Sequence, residues 1–240
     1  CADMAYFMCG YGHPVSHLYT GYASAPGFLE KPDNSLTSWD GTFADYGGVY
    51  LWTLYLWEKY GGNDFIKMLV NRREGGIAGV DAALAAQGYS DRFPQVFGRW
   101  TVANYLDDGT GPYGYANIEL VTGAFDQVNT FPRPAPAAVH NSYPVGNTAA
   151  DVNYWAADAY KFTGGSGESL ELTFDGDDGG TFGAYVVRST TADFSPGSNT
   201  VEQMTISSGQ VGTHKVDGLG TTHKAVLLVP GSYADSGGRN

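Results

Sequence analysis

The stretch that most constrains this chain is residues 45–60. There Val49-Tyr50-Leu51-Trp52-Thr53-Leu54-Tyr55-Leu56-Trp57 runs between Gly47-Gly48 and Gly61-Gly62. Its aromatic and β-branched side chains would suit a strand, but sixteen residues closed by a glycine pair fit a helix better. It is apolar on nearly every side, so the spacing predicts a central helix wrapped by the rest of its domain. Around it, residues 2–9 read as a helix stopped by Gly10, followed by a Gly, Pro and Tyr-rich loop to about residue 44. Asn63 is expected to cap a short helix carrying Phe65, Ile66, Met68, Leu69 and Val70. An alanine-rich helix over 77–87 comes next. A last helix over 91–106 is expected to be capped by Ser90 and interrupted or kinked near Pro94.

The texture changes after Asp107-Asp108-Gly109. Residues 115–122 read as a strand, and residues 131–144 hold Pro132, Pro134, Pro136 and Pro144, the composition of a stiff extended linker. From about residue 147 short alternating runs separated by glycine-rich turns dominate, at 170–174, 182–187, 201–206 and 225–229. That is the pattern of an all-β sandwich. The expected organisation is therefore α+β and multidomain. It has a mainly helical part over 1–130, a Pro-rich linker over 131–146 and a β-sandwich over 147–240. Both parts are acidic, so the boundary rests on pattern. The run at 225–229 is followed by Pro230 and a Gly-rich tail, so the sandwich is expected to lack its closing strand or to leave an edge open.

Composition removes several function classes. The 240 residues hold 13 Lys and Arg against 25 Asp and Glu, a net charge of −12, and 14% are aromatic. Nucleic acid is not an expected partner, because phosphate binding needs clustered cations. The longest apolar run is half of what a bilayer requires, so no membrane span is expected. Cys1 and Cys9 would lie about 12 Å apart on one helix, too far for a disulfide unless that stretch is not helical. An N-terminal Cys is expected to mark either a lipoprotein start or a cut through a longer protein, and the apolar residues after it fit the cut better than a polar tether.

No HExxH, P-loop, GxSxG or CxxC motif is present. His13-Pro14-Val15-Ser16-His17 has the spacing that places two imidazoles on one helical face. However, Pro14 stands where a zincin needs its general-base Glu, so these residues read equally as a turn or helix start. Asp175, Asp177 and Asp178 offer hard oxygens in a flexible loop, as calcium prefers, and equally suit an acidic hairpin turn.

Three segments carry a family resemblance. Asp45-Tyr46-Gly47-Gly48 through Gly61-Gly62, followed by Phe65-Ile66, resembles the helical half of secreted bacterial zinc metallopeptidases of the hyicolysin-like type, members of the gluzincins. Ala2-Asp3-Met4-Ala5 with Gly10-Tyr11-Gly12 resembles the segment just after the family's third zinc ligand, a Glu. Asn34-Ser35-Leu36-Thr37-Ser38-Trp39 is similar to the loop before the central helix. Trp155-Ala156-Ala157-Asp158-Ala159-Tyr160-Lys161-Phe162 opens a segment similar to the pre-peptidase C-terminal β-sandwich.

The resemblance implies that this chain is the C-terminal portion of a secreted bacterial zinc endopeptidase acting on peptide or protein substrates. Its zinc ligands would lie upstream, so the chain alone would be inactive, and the missing N-terminal half would be its structural partner. Asp3 would then hydrogen-bond a zinc-ligating His, fixing its tautomer, against the plain reading of a helix-start Asp favoured by the macrodipole. Tyr46 would donate its phenol to the oxyanion of the tetrahedral intermediate, against a plain packing role. The rival expectation is a non-catalytic secreted module that binds a glycan or protein through the tyrosine-rich loop over residues 11–22 and the sandwich.

Overall fold

A computed structural model describes residues 2–21, 25–109, 111–146 and 149–233, and shows a mixed α/β architecture with a β-rich C-terminal part. The helices are α1 (Ala2–Met8), α2 (Val15–Leu18), α3 (Phe43–Lys59), α4 (Gly62–Val70), α5 (Gly76–Ala86) and α6 (Phe93–Leu106), with a 3-10 turn at Phe28–Glu30. As expected, α3 is the hub: Tyr50, Leu51, Leu54, Tyr55 and Leu56 are buried, and α1, α2, α4 and the 3-10 turn all pack on it. Its length and all-round burial outweigh the strand-like composition. Its start is fixed by a reciprocal cap, in which the Thr42 hydroxyl accepts from Asp45 N and the Asp45 carboxylate accepts from Thr42 N.

Two helix starts differ from expectation. Gly61, in the left-handed region, precedes α4, and Asn63 instead accepts a hydrogen bond from Trp57 Nε1 at 2.8 Å. Pro94 lies in the first turn of α6, where its missing N–H costs nothing, so the helix begins there and is not kinked. Phe93 N donates to the Asp81 carboxylate of α5, so the cap comes from a neighbouring helix rather than from Ser90.

The strands are β1 (Glu119–Val121), β2 (Thr130–Pro132), β3 (Ala138–His140), β4 (Tyr160–Thr163), β5 (Leu170–Asp175), β6 (Phe182–Ser189), β7 (Asn199–Gln203), β8 (Val211–Val216) and β9 (Ala225–Ser232). They form a five-stranded sheet in the order β3-β4-β9-β6-β7, the antiparallel ribbon β5-β8 and the parallel pair β1-β2. Alternation along β6 and β9 gives the large sheet two buried faces. Tyr185, Val187, Leu227 and Val229 meet Val102, Tyr105 and Leu106 of α6. Ala184, Val186, Val226 and Leu228 meet Leu172 and Val216 of the ribbon. Helix α6 thus serves both halves, with Phe97 and Trp100 turned into the α3 core. Gly98 permits this approach, since a Cβ there would collide with Tyr185 and Tyr233.

Two expectations are corrected by these contacts, and the open edge is located. The Pro-rich stretch is tied down: Phe131 lies in the helical core, residues 130–132 pair with β1, and residues 138–140 form β3. The strand expected over 115–122 is confined to β1, because Asp107 takes the N–H groups of Tyr115 and Leu120 and folds the intervening chain into a loop. Open edges exist among the described residues, on β3, β7, β5 and β8, but the run at 225–229 does not form one. It extends through Pro230 to Ser232 as β9, between β4 and β6. Residue 240 lies outside the described residues.

Candidate functional site

Asp3, His17 and Tyr46 meet on one face of the helical half. Asp3 lies in the first turn of α1, His17 on α2 and Tyr46 in the first turn of α3. His17 Nδ1 is 2.7 Å from Asp3 Oδ2. The carboxylate can only accept, so Nδ1 carries the proton, and in neutral His17 the lone pair is on Nε2. The imidazole stacks on the Tyr46 ring at 4.8 Å, and the Phe43 ring lies 5.5 Å away. Trp39 packs edge-on against Tyr46 at 4.7 Å.

The first turn of α3 sets this geometry. Asp45 is buried and receives Asn34 Nδ2 at 3.0 Å, Asp40 N at 3.0 Å and Thr42 N at 2.8 Å. Burial pushes its carboxyl up, but these donors outweigh it and hold the group below the usual carboxylate range. The charged carboxylate therefore locks the 34–42 loop, and with it Trp39, beside Tyr46. Gly47 brings α2 against the same turn, because any Cβ would strike the His17 carbonyl. Trp39, Phe43 and Tyr46 remain 55%, 41% and 39% exposed, and Tyr6 and Tyr11 form a second exposed stack at 5.1 Å.

His13 does not join His17. Pro14 caps α2, so His13 lies before the helix and the spacing does not put the two imidazoles on one helical face. His13 is buried, with Nε2 3.0 Å from the Asn117 carbonyl and Nδ1 2.7 Å from the Tyr50 hydroxyl. The carbonyl fixes the proton on Nε2, leaving Nδ1 to accept from Tyr50. Burial pulls the imidazole below its ordinary pKa, so it is neutral.

Asp175, Asp177 and Asp178 are exposed at the turn after β5, where Asp177 Oδ1 accepts Gly179 N at 2.7 Å. Among the described residues no three His, Cys, Asp or Glu side chains come together as a metal ion would need. Asp107 lines a cleft of 380 Å³ with Arg133, but its two oxygens are occupied by Tyr115 N at 2.7 Å and Leu120 N at 2.6 Å. Burial pushes its carboxyl up to about 6.

The structure therefore joins two of the residues singled out from sequence, Asp3 and Tyr46, through a third that had been paired with the wrong partner. The sequence signal for His17 was the Gly47-Gly48 doublet, which marks a close approach to the first turn of α3 without saying what approaches. No helix among the described residues is long and apolar enough to cross a membrane. No family model, curated protein or solved structure matches the chain.

Proposed function

We propose that this chain is the C-terminal portion of a secreted zinc endopeptidase of the gluzincin type, and that Asp3, His17 and Tyr46 form one wall of its cleft. The observation that carries the reading is the carboxylate–imidazole–phenol cluster on a face that keeps three aromatic side chains exposed. The described residues do not themselves make a zinc site. The ligands would be supplied from the N-terminal side, and zinc would provide the activated water.

The roles of this chain's own groups follow from their chemistry. The Tyr46 hydroxyl is a neutral donor for charge developing on a substrate carbonyl oxygen. Asp3 fixes the His17 tautomer, so that neutral His17 presents the Nε2 lone pair to accept a proton. The second Asp3 oxygen is the atom left to orient an imidazole from the missing half. We read the β-rich part as the accessory sandwich of such a peptidase; calcium at Asp175, Asp177 and Asp178 would require their turn to gather carboxylates that do not converge in this structure.

The deciding experiment expresses the chain together with the residues encoded before it and assays peptide hydrolysis with and without a chelator. Chelator-sensitive cleavage is expected, with Tyr46→Phe lowering kcat by about 10². An upstream sequence without a zinc motif, or turnover unchanged in Tyr46→Phe, would reject the assignment or return Tyr46 to packing. The exposed rings favour one second reading, a glycan-binding module that stacks sugars on Trp39 and Tyr46. Retention of the 240-residue chain on a polysaccharide, abolished by Trp39→Ala, would select it.

A further inference from the structure

We propose that the β-rich part binds an extended peptide with alternating apolar and basic side chains, added as a strand to the outer edge of β5. The site is a cleft of 680 Å³ between residues 141–145, which leave β3, and the turn that leads into β5. Among the described residues β5 pairs only with β8 and β3 only with β4. Each of these strands therefore has an edge whose N–H and C=O groups are not shared with a neighbour. Strand addition is the general way such an edge is used.

The cleft is built before any ligand arrives. The Tyr143 hydroxyl donates to the Thr163 carbonyl at 2.7 Å, pinning one wall. The opposite wall is held by Gly167 N to Leu219 O at 2.9 Å and Leu219 N to Glu168 O at 3.2 Å. Phe162, Leu170 and Leu219 supply an apolar floor.

Charge and alternation select the occupant. The charged residues lining the cleft are Glu168 and Glu171, and no Lys, Arg or His lines it. Lys215 stands opposite Glu171 across the ribbon, but its ammonium lies 3.0 Å from Asp217. The rim is therefore negative, on a chain whose net charge is −12, which disfavours acidic peptides and a second copy of the chain. Along β5, Leu170 points inward and Glu171 outward. A strand laid beside it has the same two-residue period, placing apolar side chains in line with Leu170 and basic ones in line with Glu171. This inference is independent of the peptidase reading.

The test titrates the full chain with a soluble, end-capped five-residue peptide alternating lysine and valine, followed by amide chemical shifts and calorimetry. Binding is expected with shifts concentrated at residues 165–175 and 141–145. Methylating the peptide's edge-facing amides should weaken it at least about tenfold, as should the paired surface substitutions Glu168→Lys and Glu171→Lys. A peptide with glutamate for lysine should not bind. No binding at millimolar peptide, shifts mapping elsewhere, equal binding of the methylated peptide, or binding unaffected by the charge reversals would each overturn the proposal.

Discussion

Around α3 the core is made of rings, with Tyr50, Trp52, Tyr55, Phe65, Trp100 and Phe131 all buried. Between the large sheet and the ribbon it is made of Leu172, Ala184, Val186, Val216, Val226 and Leu228, with Phe162 the buried aromatic among the described residues. The difference lies in what each core needs in order to be unique. A buried tyrosine carries a hydroxyl that must find a partner. Tyr55 donates to the Pro112 carbonyl at 2.6 Å, Tyr60 to Asp91 at 3.1 Å and Tyr115 to Asn104 at 2.5 Å. Each tether fixes a helix against a particular loop. Among the described residues no buried tyrosine tethers the aliphatic core, and its register comes from strand alternation and total volume.

The largest effect that would test this contrast is Trp100→Ala. Trp100 is buried against Phe28, Trp52 and Phe97, and removing its ring should cost about 3–5 kcal/mol in urea unfolding. Leu172→Met in the sheet core conserves volume and should cost less than about 1.5 kcal/mol. Comparable losses in the two variants would erase the distinction.

A smaller effect comes from Asp107, the carboxylate that folds the loop joining the two halves. Replacing it by Asn leaves one acceptor oxygen for two buried N–H groups and should cost about 1–3 kcal/mol. The pH dependence has a definite sign. Burial raises the folded carboxyl to about 6 from an unfolded value of about 3.9. Its contribution is full below the unfolded value and is lost as pH rises through 6. The deficit of Asp107→Asn should therefore be greater at pH 4 than at pH 7. His13 acts in the opposite sense, because burial lowers its folded pKa. Its contribution is full above about 6.5 and is lost as pH falls from there toward the folded value. Tyr50→Phe, which strips the donor from His13 Nδ1, should cost about 1 kcal/mol at pH 7.5 and is read by thermal or urea unfolding.

The two halves were also unequally legible. The α3 helix announced itself, because no other element of this length can bury rings on every side and end at a glycine pair. Strands β5, β6 and β9 were visible as short apolar runs, yet β9's place in the middle of the sheet was not, since Pro230 and the glycines after it look like an exit. The Pro-rich stretch misled for a related reason: prolines stiffen a linker, but they equally suit strand ends such as β2 that pair over three residues. At the candidate site Asp3 and Tyr46 were singled out only through resemblance. Their link, His17, was hidden by local spacing, which favoured His13. The contact with Asp3 spans fourteen residues and two turns, at Gly10 and Gly12, whose φ values are +83° and +84°. Local periodicity carries no information about such a contact.

The smallest expected effect is on folding, and it is the sharpest test of whether the cluster is there for chemistry. The side chains of His17 and Asp3 are 23% and 18% exposed, so solvent screens the pair and it should contribute under about 1 kcal/mol. Asp3→Asn keeps an oxygen that can accept from His17 Nδ1 while removing the carboxylate charge. Its melting temperature should stay within about 2–4 °C of the parent's. On the peptidase reading proposed above, the same substitution in the chain expressed with the residues encoded before it should lower kcat while leaving KM nearly unchanged. A structural pair would show the reverse, a lost Tm with normal turnover per folded molecule. The tethered tyrosines of the α3 core already show what stability-bearing polar contacts look like in this half. Asp3 and His17 are not among the residues of that core, and the His17 ring packs against Tyr46 and Phe43. A stability loss from Asp3→Asn as large as that from Tyr50→Phe would place the pair among the tethers and remove its claim to a functional role.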